Sequence, residues 1–203
     1  MSLHGGWVFA PTTEIPENVK LFVEANAFIL GCDYEPILYL GYQVINGTNH
    51  AVLAQQTVLN GRDTNNAVIM VISEKPGSTE LSLKNVISIV EGGGEFGGVV
   101  INVTTDIPKE AQLVFDEAIA GYVGTDIETL AYLGSQVTTG INYIFLISSK
   151  AVVAGPTPVK LAVATVNSED KSIRIEPIFD EEDLKSYKVL RNENVGKPLG
   201  EWP

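Results

Sequence analysis

Cysteine is almost missing from this chain, since Cys32 stands alone. A single cysteine excludes an intrachain disulfide and any metal site built on cysteine pairs, so the fold must hold without staples. Histidine is nearly as scarce, with only His4 and His50. A thiol–imidazole mechanism therefore has Cys32 and His50 as its sole pair. A lone cysteine near an apolar segment reads first as a packing residue. Basic residues are few, 13 Lys and Arg against 25 Asp and Glu, for a net charge of −12. That balance argues against nucleic acid, which needs a basic surface. The acidity is spread along the chain and reads as a solubility device. No run reaches the roughly 18 apolar residues of a membrane span. No basic-then-apolar start marks a leader, so a soluble protein is expected, cytoplasmic or secreted after processing. The glycine run 92–98 lacks the Lys-Ser/Thr ending of a phosphate loop. The acidic residues miss the spacing of calcium loops. No enzyme activity and no cofactor are expected.

An internal repeat is present. Tyr42-Gln43-Val44-Ile45-Asn46-Gly47-Thr48-Asn49-His50 returns, altered, as Ser135-Gln136-Val137-Thr138-Thr139-Gly140-Ile141-Asn142-Tyr143. Upstream, Tyr39-Leu40-Gly41 matches Tyr132-Leu133-Gly134, and Thr12-Thr13-Glu14-Ile15-Pro16 matches Thr104-Thr105-Asp106-Ile107-Pro108. Gly5-Gly6 matches Gly97-Gly98, and the apolar run 67–72 matches 161–166. The matches keep their order and a nearly constant shift, as two copies of a unit of about 90 residues require.

Within the first unit, a short strand at 5–9 leads to a helix from Glu17 to about Leu30, with Val19, Phe22, Val23, Ala27 and Leu30 at helical spacing. Thr12 or Thr13 is a candidate cap, and Pro16 suits a first turn. Strands are expected over about 33–41, 50–59, 67–73 and 81–89, with Lys75-Pro76-Gly77-Ser78 as a turn. The second unit repeats this, with a helix from Pro108 to about Val123 and Gln136–Gly140 as its loop. The expected fold class is α+β: two tandem domains, 4–91 and 92–178, each an antiparallel sheet wrapped across one helix, and an extension over 179–203. Asn46-Gly47-Thr48 and Asn102-Val103-Thr104 also have the form of glycan acceptors.

The plan and the loop together resemble the cystatin superfamily, its stefin-like members most. Members wrap a five-strand antiparallel sheet around one long helix and carry Gln-x-Val-x-Gly in the first hairpin. Gln43, Ile45 and Gly47 fall on that pattern, with Ile45 in place of Val and Thr48-Asn49 following. Gly5-Gly6 falls where the family has its N-terminal glycine. The resemblance implies a protein partner, a papain-like cysteine protease, plugged by a smooth, uncharged, three-part wedge. The implied contact residues are Gly5, Gly6 and Trp7; Gln43, Val44, Ile45, Asn46 and Gly47; and Pro76 in the second hairpin. That hairpin lacks the family's Trp, and Trp7 is a candidate substitute. The second unit departs further, with Thr138 in place of Val and a charged turn at 167–171. The other reading is a non-inhibitory protein-interaction or structural module of the same kind.

Overall fold

The computed structural model describes residues 6–26, 31–59, 64–93, 97–155 and 157–178. The expected extension over 179–203 lies outside the described residues. The elements run β1 (Trp7–Thr12), α1 (Glu17–Ala25), β2 (Cys32–Val44), β3 (Thr48–Val58), β4 (Thr64–Glu74) and β5 (Leu81–Glu91). They continue as β6 (Val99–Thr104), α2 (Lys109–Ile119), β7 (Thr125–Thr138), β8 (Gly140–Ala151), β9 (Lys160–Asn167) and β10 (Ile173–Pro177). Two five-stranded antiparallel sheets result, ordered β1-β2-β3-β4-β5 and β10-β9-β8-β7-β6.

The central strands decide how these sheets pack. Residues 51–54 in β3 and 67–72 in β4 are buried at every position. Successive strand residues point to opposite faces, so a strand apolar throughout needs cover on both sides. One face receives the helix: Val52, Ala54, Val68, Met70 and Ile72 cluster with Val19 and Val23 of α1. The other face receives the second sheet. Ala51, Leu53, Ala67, Ile69 and Val71 share one cluster with Ile101 and Val103 of β6, Leu133 of β7, Ile144 and Leu146 of β8, and Leu161 and Val163 of β9. Beyond them Phe145, Ile147, Ala162 and Ala164 pack on Ala111, Val114 and Phe115 of α2. The order of layers is helix, sheet, sheet, helix, with the largest apolar cluster between the sheets.

This corrects the expectation of two tandem α+β domains of the cystatin type. The described chain is 60% strand and only 12% helix. Helices of nine and 11 residues cover part of one face of each sheet, and the remaining inner faces cover each other. At Gly92, where the glycine run begins, the chain is closely held. The Gly92 amide donates to Asn66 Oδ1 at 3.0 Å. A Cβ on Gly92 would lie 2.1 Å from the Asn65 carbonyl oxygen and 2.9 Å from Ile101. The Val103 amide donates to Gln55 Oε1 at 3.0 Å, joining β6 to the first sheet.

Both helices are shorter than their apolar spacing predicts. At the end of α1, Asn26 donates its backbone amide to the Phe22 and Val23 carbonyls, and its side chain donates to Phe22 O at 2.8 Å. An amide side chain competing for helical carbonyls is a stop signal. Residues 27–30 lie outside the described residues. The expected threonine caps are used differently: Thr12 accepts from the Glu14 amide, Thr104 accepts from the Asp106 amide, and the helices start after Pro16 and Pro108 with no side-chain cap.

The sequence repeat recurs as repeated geometry. Gly41 and Gly134 sit at φ 149° and 156°. A Cβ there would lie 2.2 Å from Val8 O and 2.3 Å from Val100 O, so only glycine lets the neighbouring strand pass. Register shifts fall at Tyr39/Gly41 and at Tyr132/Gly134.

Candidate functional site

The site begins at the tip of the β2–β3 hairpin. Val44 pairs with Thr48, leaving Ile45, Asn46 and Gly47 as the connection. Asn46 at φ 48° and Gly47 at φ 117° both take left-handed backbone angles, which Asn and Gly tolerate best. A Cβ on Gly47 would lie 2.2 Å from Glu74 O and 3.2 Å from Pro76 Cδ. The tip is therefore pressed against the turn joining β4 to β5. In that turn Ser78 N donates to Lys75 O at 3.2 Å, with Pro76 then Gly77 at its centre and Gly77 at φ 69°, as a type II turn requires. On the other flank Trp7 is opposite Gln43, and Val8 opposite Tyr42.

Side chains below the tip hold it rigid. Asn49 donates to Gln43 Oε1 at 2.9 Å, and both residues are buried. His50 is also buried, with Nδ1 2.9 Å from the Tyr39 hydroxyl and Nε2 3.4 Å from Glu74 Oε2. One tautomer satisfies both contacts: Tyr39 O–H donates to Nδ1, and Nε2–H donates to Glu74. Burial, then the nearby Tyr42, push the Tyr39 hydroxyl up to about 12. This Tyr–His–Glu chain ties β2, β3 and β4 together below the tip.

Of the residues named from sequence, Trp7, Gln43, Val44, Ile45, Asn46, Gly47 and Pro76 come together at one end of the first sheet. Gly6 immediately precedes β1, and Gly5 lies outside the described residues. They divide by exposure. Val44 is 61% exposed and Ile45 50%, whereas Gln43 is buried and braces the hairpin. Trp7 stacks on Phe9 with ring centroids 5.9 Å apart, and both rings pack against the cluster between the sheets. No known protein family and no curated protein matches this chain. The site is thus read from its own geometry.

The sequence reading missed Val8 and Tyr42. Both are exposed and cross-strand neighbours, and Val44 lies two residues beyond Tyr42 on the same face. Alternation along β1, with Trp7 and Phe9 inward and Val8 outward, was the available signal. Cys32 and His50 are far apart. Cys32 pairs with Val58 at one end of the hairpin, while His50 pairs with Tyr42 near the other. Eight residues of strand separate His50 from Val58, roughly 26 Å at strand rise, so the two cannot act as nucleophile and base.

The corresponding end of the second sheet also exposes Val100 and Val137, but polar groups hold its loop. Gln136 Nε2 donates to Gly97 O, Asn167 Nδ2 donates to Asn142 Oδ1 at 2.8 Å, and Ile141 N donates to Ser168 Oγ at 2.9 Å. The loop there is tied to the Asn167–Lys171 turn, where Lys171 reaches Glu117 of α2 at 2.9 Å. Among the described residues no helix is long and apolar enough to cross a membrane.

Proposed function

We propose that this chain is a protein-binding module that docks through the hairpin end of its first sheet. The observation that carries this is the meeting of Val8, Tyr42, Val44, Ile45 and Pro76 around a glycine-tight tip. Exposed apolar groups on a braced loop lose little conformational entropy on binding, which favours affinity. The partner class is a papain-like cysteine protease, whose cleft takes an uncharged plug that presents no correctly placed peptide bond. This choice rests on the Gln43-x-Ile45-x-Gly47 resemblance. Ile45 and Val44 supply the apolar contact, and Gly47 sets the loop's shape.

One observation favours a second reading, in which the same edge binds a partner without blocking catalysis. The second hairpin carries the Lys75–Glu80 ion pair at 2.8 Å and no aromatic anchor, so it fits an apolar cleft less well. Titration of a papain-like protease with the intact chain, an Ile45→Glu variant and a Val137→Glu variant tests the proposal. Inhibition lost in the first variant and kept in the second supports it. Gly47 is a poor choice for this test, because any side chain there collides with the Glu74 backbone. Inhibition that survives Ile45→Glu contradicts the assignment. Binding without inhibition by the intact chain selects the second reading.

A further inference from the structure

Asn46 combines four properties at the tip of the docking hairpin. It is exposed to water. Among the described residues nothing holds its side-chain amide, in contrast to Asn49, Asn142 and Asn167. Its φ of 48° is one that Asn and Asp both accept. It is followed by the residue least able to shield it, since Gly47 has no Cβ, and the packing against Glu74 and Pro76 forbids any other residue at that position.

We propose that Asn46 is a site of spontaneous, non-enzymatic conversion to a carboxylate, and that the product switches the docking edge off. The Gly47 backbone nitrogen, losing its proton to solvent, attacks Asn46 Cγ. A C–N bond closes a five-membered imide, and the side-chain nitrogen leaves as ammonia. Water then opens the ring at one of its two carbonyls. One opening leaves an ordinary aspartate in place of the asparagine. The other gives the isomer in which the backbone runs through the former side-chain carboxyl. Only water is consumed.

The two products act on the edge differently. Aspartate tolerates the left-handed angle at this position, so the first product keeps the loop's shape. Its charge is nonetheless new beside the exposed Val44 and Ile45, on a chain already at −12, and Lys75 of the facing turn is already paired with Glu80. A carboxylate entering an apolar cleft without a partner is strongly disfavoured. The isomeric form lengthens the backbone and breaks the fit of the tip against the 75–78 turn. The equivalent place in the second unit is Thr139-Gly140, with no amide to convert, so that hairpin tip is spared; the chain's other Asn-Gly pair, Asn60-Gly61, lies outside the described residues. The loss of docking rests on the function proposed above, whereas the chemistry does not.

The test is to hold the intact folded chain at mildly alkaline pH, sample over days, and map amide-to-acid conversion by peptide mass spectrometry. Asn85 and Asn102, each followed by valine, are internal references. Conversion at Asn46 is expected to run about tenfold or more faster than at either, because a β-branched side chain crowds its own amide nitrogen. Aged chain should lose protease binding in proportion to conversion, Asn46→Asp should show the loss without ageing, and binding by Asn46→Gly, whatever its starting value, should not fall further on ageing. Conversion at Asn46 no faster than at Asn102 overturns the proposal. Full binding by Asn46→Asp overturns the switch. If the unaged chain binds no papain-like protease, the functional reading fails, and the mass measurement still decides the conversion.

Discussion

Truncating Leu40 reports directly on the cluster between the sheets. Leu40 lies in the first sheet, is fully buried, and belongs to the cluster that includes Leu133, Ile144 and Leu146 of the second. Leu40→Ala leaves a cavity bounded by both sheets. A substitution of this kind costs about 2–5 kcal/mol, depending on how far the surroundings relax. For a chain of this size that lowers the melting temperature by roughly 4–20 °C. The location of the loss matters more than its size. If the sheets share one core, the chain unfolds as one body, and the slowest-exchanging amides of β3 and β8 lose the same protection. The assay is native-state hydrogen exchange on wild type and Leu40→Ala, resolved to 51–54 and 144–147. Equal losses in both strands support a shared core. Loss in β3 with β8 unchanged would refute it and restore two independent units.

Expression of residues 1–91 alone should give a chain that does not unfold cooperatively, because ten residues of the shared cluster would face water; a sharp, reversible transition contradicts this. Gly134→Ala places a Cβ 2.3 Å from Val100 O and should destabilise by more than about 1 kcal/mol, as substitutions at an incompatible backbone position do, measured by chemical denaturation. Tyr39 is held protonated up to about 12 by burial and Tyr42, above its ordinary value of 10.0. The folded state thus keeps a proton the unfolded chain has lost, so this contribution to stability is complete below pH 10 and disappears as pH rises toward 12. In Tyr39→Phe that part of the alkaline decline should vanish from a plot of stability against pH; an unchanged slope counts against the assignment.

The order of elements was legible because turn and strand signals are local: Pro76-Gly77 for the turn, two apolar runs around a glycine for the hairpin. The layer arrangement was not. Ala67-Val68-Ile69-Met70-Val71-Ile72 signals a strand buried on both faces, but sequence does not say what covers the second face. A helix under one face accounts for only half of those residues, and the other half meet partners far away in the chain. The helix ends were misjudged for a local reason, since Ala27 and Leu30 continue the apolar spacing past Asn26, where side-chain competition ends the helix. At the site, Gln43 was named within the motif but read as a brace of the hairpin, and Trp7 as a substitute for the missing aromatic. Their burial depends on Asn49 and on the cluster between the sheets, neither adjacent in sequence. Val8 and Tyr42 went unnoticed because their meeting depends on the register of β1 against β2.

The most direct test of the docking edge is a hydrogen-exchange and crosslinking footprint of the intact chain on an active-site-blocked papain-like protease. Residues 7–9, 42–48 and 74–78 should be protected together, with crosslinks from the hairpin tip into the cleft, and 135–142 should be unchanged. Protection centred on 135–142, or no protection at 42–48 in a complex that forms, would contradict the account.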